Sequence, residues 1–251
     1  MPDALVPVLA LPGLGWLIAA ALLAGIVRGF AGFGGALIYL PVAAQFVPPL
    51  WAVVTVVTLE LFGPLAIVPS ALKQAHRRDL LLLSGGSLCL IPVGLATLAV
   101  VSADAFRYVL STVCLLLVVC LLLGLRYRGA LRPPLIAGVG GASGFLGGLL
   151  GVPGPPVVLF YMASALPVQV VRANVLLYLV LFDFQLLAII GLRGDLDLTP
   201  LLLGGLLAVP GLLGNLIGAA VFNPDRSALY RVAACAIVAL SAILGLPLWD
   251  Q

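Results

Sequence analysis

The chain has 251 residues, of which 63% are hydrophobic and only 8% charged, and its mean hydropathy is +1.29. Ordinary soluble domains carry about 25% charged residues, so a soluble fold of this size could not cover its surface and the chain belongs in a bilayer. A formal net charge of +3, scattered along the chain, excludes a nucleic-acid binder.

A membrane-crossing helix needs about 20 mostly apolar residues. Such runs fall at about 12–46, 50–72, 80–101, 105–125, 134–163, 169–192, 199–222 and 227–248. They far exceed the roughly 9–11 residues of a barrel strand. An all-α, polytopic transmembrane bundle is expected, as one domain over residues 1–251. Met1 to Leu11 carries Asp3 and no Lys or Arg, so the basic region of a secretory signal is missing and the first run reads as a retained helix.

The first run contains GFAGFGG (29–35), preceded by Arg28. The fifth contains GVPGPP (151–156). Both runs are too long for one crossing. Gly29, Gly32, Gly34 and Gly35 make helix continuity costly, about 1 kcal/mol each relative to alanine. Pro153, Pro155 and Pro156 remove three amide donors, and each disfavours helix in the residue before it. Each run is therefore expected to break near the bilayer midplane. A break exposes a helix N-terminus, whose free amides and positive dipole end attract an anion. Brought together by a pseudo-twofold axis, two such ends would make a central anion site, as in secondary transporters. The competing reading is that the glycines only let helices pack closely. A dinucleotide-binding loop is excluded, since no strand or βαβ unit surrounds these glycines.

The two glycine segments lie 119 residues apart, so Gly32 meets Gly151, Gly35 meets Gly154 and Leu40 meets Leu159. Gly85-Gly86 meets Gly204-Gly205 at the same offset. This predicts two repeats, about 12–125 and 134–248. The loops KQAHRRD (73–79) and RYRGALR (126–132) are basic and flank two clean spans, which places both on the cytoplasmic side of the cell's inner membrane. The counterpart of the first, LRGDLDL (192–198), has lost that bias. The repeats are therefore expected to be inverted, with five helical pieces each; parallel repeats of four spans each are the alternative.

Ionisable residues inside spans are functional candidates. Arg28 either offers a bidentate charge to an anion or snorkels to the surface at a helix end. Glu60 and Asp183 lie inside apolar runs without a basic neighbour one helical turn away, and either could carry a proton. Gln185 beside Asp183 favours Asp183; a protonated acid bonded to a neighbouring helix is the structural alternative. Thr55 and Asn174 share the 119 offset, which is expected to put both beside the breaks. Thr58 is expected to bond the carbonyl one turn back. Tyr39, Tyr161 and Tyr178 either reach a substrate or anchor at the interface. Arg172 reads as a loop charge. In GLLGNLIGAA (211–220), Gly214 and Gly218 read as a packing face. Cys89, Cys114, Cys120 and Cys235 lie in apolar runs as small fillers, so no metal and no cofactor is expected.

GFAGFGGALIYLPV, GLLGVPGPPVVLFY and VQVVRANVLLYLVLF resemble the repeated signatures of the TauE/SafE sulfite-exporter family, also called the TSUP superfamily. The likeness runs from about residue 12 to 248. Thr55 and Asn174 depart from the commoner Gly-Thr-Ser motif, and Pro-Gly-Pro-Pro replaces a more glycine-rich second copy. The resemblance implies a permease for sulfite, sulfonates or related organosulfur anions. Substrate contacts would come from Arg28, Gly32, Phe33, Gly34 and Gly35 in the first copy and from Val152, Pro153 and Gly154 in the second. Thr55, Asn174 and Tyr178 would complete the site, and Glu60 or Asp183 would couple protons.

The leading reading is thus a non-enzymatic secondary carrier whose partners are a small anion, lipid and a coupling proton. No GxxxxGK[ST] motif supplies ATP-driven transport. An uptake permease for another small organic anion and a transport-free scaffold subunit are the rivals. An intramembrane hydrolase lacks a Ser/His pair, since the single histidine, His76, lies in a loop.

Overall fold

The computed structural model describes residues 2–32, 34–64, 67–124, 132–161, 166–223 and 227–248. Among the described residues there are twelve helices and no strand. In chain order they are α1 (Pro2–Leu9), α2 (Leu14–Ala31), α3 (Gly35–Ala43), α4 (Pro49–Leu61), α5 (Val68–Gln74) and α6 (Arg77–Val100). There follow α7 (Ala103–Leu122), α8 (Pro133–Leu150), α9 (Gly154–Tyr161), α10 (Val168–Leu192), α11 (Leu198–Val221) and α12 (Ser227–Leu244). Six of them, α2, α6, α7, α8, α10 and α11, are long and apolar enough to cross a membrane. Their outward faces carry Leu81, Val100, Leu192 and Leu216, all largely exposed, which suits a hydrocarbon solvent rather than water.

The first and fifth apolar runs are both cut. Helix α2 ends at Ala31, where Gly32 turns into the left-handed region (φ 77°) and its amide closes on the Arg28 carbonyl at 2.8 Å. Gly34 is also left-handed (φ 96°) and starts α3. Gly151 (φ 71°) closes α8 on the Gly147 carbonyl, and α9 begins three residues later at Gly154. Left-handed backbone of this kind is what a Cβ resists. With 9 and 8 residues, α3 and α9 reach only about 12–14 Å, less than half of a hydrocarbon core about 30 Å thick.

Three expectations are corrected. The second run, about 50–72, is not one helix: α4 stops at Leu61 and α5 starts at Val68. Its stop is written as Phe62-Gly63-Pro64, a glycine followed by a proline that cannot continue a helical ladder. With α1, this raises the helix count above the ten pieces expected. Gly29 does not break a helix either; it lies within α2 against the Asn215 carbonyl of α11. Of the basic loop at 126–132, only Arg132 is among the described residues.

The helices form two compact units, Met1–Phe62 with Val101–Gly124 and Asp197–Gln251, and Gly63–Val100 with Leu125–Leu196. Each is built on a glycine seam. In the first unit, α2 packs along α11: a Cβ on Gly25 would strike the Gly211 carbonyl, on Gly214 the Leu22 carbonyl and on Gly218 the Ile26 carbonyl. In the second, α6 packs along α8, and a Cβ on Gly86, Gly140 or Gly144 would strike the carbonyl of Ala137, Leu83 or Ser87. Lipid tails are as apolar as leucine, so helix association in a membrane depends on such close backbone approach. The packing face read in GLLGNLIGAA is thus used within the chain. Shifted by 119 residues, Pro133–Leu150 falls on residues 14–31 and Leu198–Val221 on 79–102, close to α2 and α6. The compact units therefore mix elements from both halves of the sequence.

The seams make a comparison testable. Gly218→Ala is expected to lower stability in an unfolding titration in mixed micelles by about 1–3 kcal/mol, the usual cost of overpacking. Gly205→Ala, on the same helix with nothing within 4 Å of the added methyl, should be neutral or stabilising.

Candidate functional site

In the first unit the α2/α3 break brings a charge pair together. Arg28 lies in the last turn of α2 and Glu60 in the last turn of α4. Arg28 Nη1 is 3.2 Å from Glu60 Oε1, with the two side chains 26% and 20% exposed. Neither charge is alone. Glu60 has no basic neighbour on its own helix, but the fold supplies one from another. The same carboxylate oxygen lies against Gly35, the first residue of α3, at 2.8 Å from where a Cβ would stand, and the Arg28 stem is beside it. The first described amide of α3 to close on a carbonyl is Ile38, on Gly34 at 3.1 Å. Those of Gly35 and Ala36 precede it and have no intrahelical acceptor. A cation, a carboxylate and the first turn of α3 therefore share one place. Phe33, expected to contribute here, lies outside the described residues.

Thr55 stands more than a turn before Glu60 in α4, fully buried, and donates to the Pro200 carbonyl of α11 at 3.4 Å. The buried Tyr39 hydroxyl lies beside it without closing a hydrogen bond. Thr58 bonds the Val54 carbonyl at 2.8 Å, as its spacing predicts.

The α8/α9 break of the second unit has different chemistry. Gly151, Val152 and Pro153 are buried. Tyr178 of α10 donates to Ser143 Oγ of α8 at 2.7 Å, and Ser143 Oγ donates in turn to the Pro153 carbonyl. The break is thus tied to two helices by a relay of hydroxyls, and Tyr178, 0% exposed, is no interface anchor. The start of α9 is poor in donors, since Pro155 and Pro156 follow Gly154 and neither has an amide hydrogen. Of the two breaks, the one at α3 is the better anion cradle.

Asn174 is not beside that break. Its Oδ1 accepts from the His76 amide at 2.8 Å, while its Nδ2 is buried without a partner. It belongs to a cluster at the far end of α9. There His76 Nδ1 is 2.9 Å from Asp79 Oδ1, and Tyr161 donates to Asp79 Oδ2 at 3.2 Å. Tyr161 is 1% exposed, so its role as an interface anchor is excluded. Asp183 is buried on α10 and is not free of interactions. Gln185, read as its companion, accepts from Ser87 Oγ at 2.8 Å and donates to the Ser84 carbonyl at 3.2 Å. Sequence reasoning missed Ser143, Asp79 and the pairing of Glu60. A short hydroxyl in a glycine-rich helix gives no periodic signal, and Asp79 looks like an ordinary loop charge.

A helical bundle with two spans cut at left-handed glycines, and with charged or hydroxyl side chains drawn to each cut, is a multi-pass membrane protein of the permease class. The sequence profile described as "Sulfite exporter TauE/SafE" matches residues 17–244, and the chain belongs to that family. Searches of curated proteins and of solved structures gave no match.

The hydroxyl relay predicts a stability effect. Ser143→Ala removes the partner of Tyr178 and of the Pro153 carbonyl together, leaving buried polar groups unsatisfied at about 1–3 kcal/mol each. Micellar unfolding should register the loss, and Tyr178→Phe combined with Ser143→Ala should cost less than the two single changes summed.

Proposed function

We propose that the chain is a secondary carrier of the cell's inner membrane for a small anion, sulfite or a related organosulfur anion. Transport would proceed by alternating access, with protons as the coupling ion and Glu60 or Asp183 as carrier of the proton. The two segments related by the 119 offset would be inverted repeats. The observation that carries the reading is the pairing of Arg28 with a carboxylate at the start of α3. A guanidinium there offers the fork geometry that oxyanions match, and the N-terminus of a short helix lies next to it. Family membership supports the substrate class: a sulfite exporter must hold a small oxyanion away from water.

A second reading is favoured by one detail of the same site. The group now bonded to Arg28 is a carboxylate, so a small organic acid would fit the fork as well as a sulfur oxyanion. Thermal stabilisation across sulfite, thiosulfate, taurine, sulfoacetate and acetate would rank the classes.

Saturable flux of labelled sulfite into proteoliposomes tests the carrier. Arg28→Ala alone would leave Glu60 uncompensated in the bundle, a cost of about 3–5 kcal/mol. The double change Arg28→Met with Glu60→Gln avoids this. It should fold and yet lose at least about tenfold in transport, the equivalent of one charge-assisted hydrogen bond. Undiminished flux in the double variant would remove Arg28 from the site, and no saturable flux in the wild type would favour a scaffold.

A further inference from the structure

Glu60 occupies the place that the carrier reading gives to the transported anion. Its Oε1 is 3.2 Å from Arg28 Nη1 and fills the space at Gly35, the first residue of α3. Among the described residues, the helices packed against α4 add no second charged group, while α12, packed on α2 and α3, carries Arg231 and sets Tyr230 against Phe30. The elements against this carboxylate are α2, α3 and α11. Helix α2 contributes Arg28 as its single charged residue, α3 has Tyr39 as its single titratable group, and α11 has no titratable residue. Helix α4 carries no second charge. The Arg28–Glu60 pair is itself neutral. An additional anion would leave it with a net negative charge inside a membrane bundle, where an uncompensated charge is costly.

Resting on the carrier reading, we propose that Glu60 is a tethered competitor of the anion for Arg28, so that anion binding and protonation of Glu60 are one linked event. The exchange balances. The Arg28–Glu60 ion pair breaks, the anion forms a new ion pair with Arg28, and a proton from solvent binds a Glu60 carboxylate oxygen. With a monovalent anion the net charge is the same before and after. The protonated carboxyl then has an O–H to donate, and the bound oxyanion is its natural acceptor. Coupling requires no separate proton pathway in this scheme, because the proton and the anion are exchanged at one ion pair.

The sign of the linkage follows. Anion binding takes up a proton, so apparent affinity falls as pH rises, by up to about tenfold per pH unit. The test is anion-induced thermal stabilisation of the purified full chain in detergent, between pH of about 5.5 and about 8, with sulfite, thiosulfate and methanesulfonate as probes. Glu60→Gln should bind more tightly than wild type at the alkaline end, by about tenfold or more, and should lose the wild-type slope. Titration of a probe itself cancels in that comparison. Should Glu60→Gln fail to fold, proton uptake by wild type on binding methanesulfonate, which does not titrate in this range, decides in weak buffer, with about one proton taken up per anion bound. Equal slopes in wild type and Glu60→Gln, or binding without proton uptake, would overturn the competition and leave the carrier intact. If none of the three probes stabilises wild type at any pH, the carrier reading itself falls.

Discussion

A backbone cut within a bilayer has no water to satisfy it, so the chain must supply every partner itself. The two cuts in this protein meet that constraint by opposite means. At α8/α9 the polar groups are bonded to one another: Tyr178 to Ser143, and Ser143 to the Pro153 carbonyl. Prolines at the start of α9 delete donors that would otherwise need acceptors. At α2/α3 the Gly32 amide returns to the Arg28 carbonyl, but the start of α3 keeps its donors. What stands beside them is a charge pair. One cut is tied by neutral hydrogen bonds and the other carries a charge pair.

The glycine seams make such cuts tolerable. Helices α2 and α8, which end at the cuts, are also the helices that press backbone to backbone against α11 and α6. A helix so held keeps its position when its continuation is broken. The same residue type therefore has two functions a few residues apart. Gly25 and Gly29 in α2 make room for the neighbouring backbone. Gly32 and Gly34 adopt left-handed conformations that side chains resist, with little or no neighbouring structure in the way.

That division explains what the sequence could reveal. Apolar run length shows the class and most of the helices, because the bilayer fixes how long a span must be. Proline and clustered glycine reveal the cuts, since their effects on the backbone are local. Gly29 was misassigned because a packing glycine and a breaking glycine are the same letter, and only the neighbour in α11 tells them apart. The cut after Leu61 rests on a single Gly-Pro pair and was hidden by the apolar residues around it. The site was less legible still. Arg28 and Glu60 are separated by 32 positions and the whole of α3, so no spacing rule joins them. Asn174 and Thr55 were placed at the cuts by offset alone, whereas each lies a turn or more away, where the short helices continue.

Taking the two segments as repeats, as we propose, their frames match and their chemistry does not. The offset of 119 pairs Arg28 with Gly147, Glu60 with Leu179, Ser143 with Ala24 and Tyr178 with Leu59. Each polar group at one cut is answered by an apolar or absent side chain at the other. The reason is steric at the arginine. A Cβ on Gly147 would run into the ring of Phe182, so α8 has no room for a long side chain where α2 carries its cation. Phe182 itself pairs with Gly63, the glycine of the cut that ends α4, while α10 runs through the same place without interruption. Large and small have changed places. A ring in α10 excludes the cation from α8 and accompanies a continuous helix, whereas α4 ends just beyond Glu60 beside the cation of α2. On the repeat reading, the Phe182 ring accounts for the missing counterpart of Arg28 in α8, and the proposed exchange site would belong to the α2/α3 cut alone.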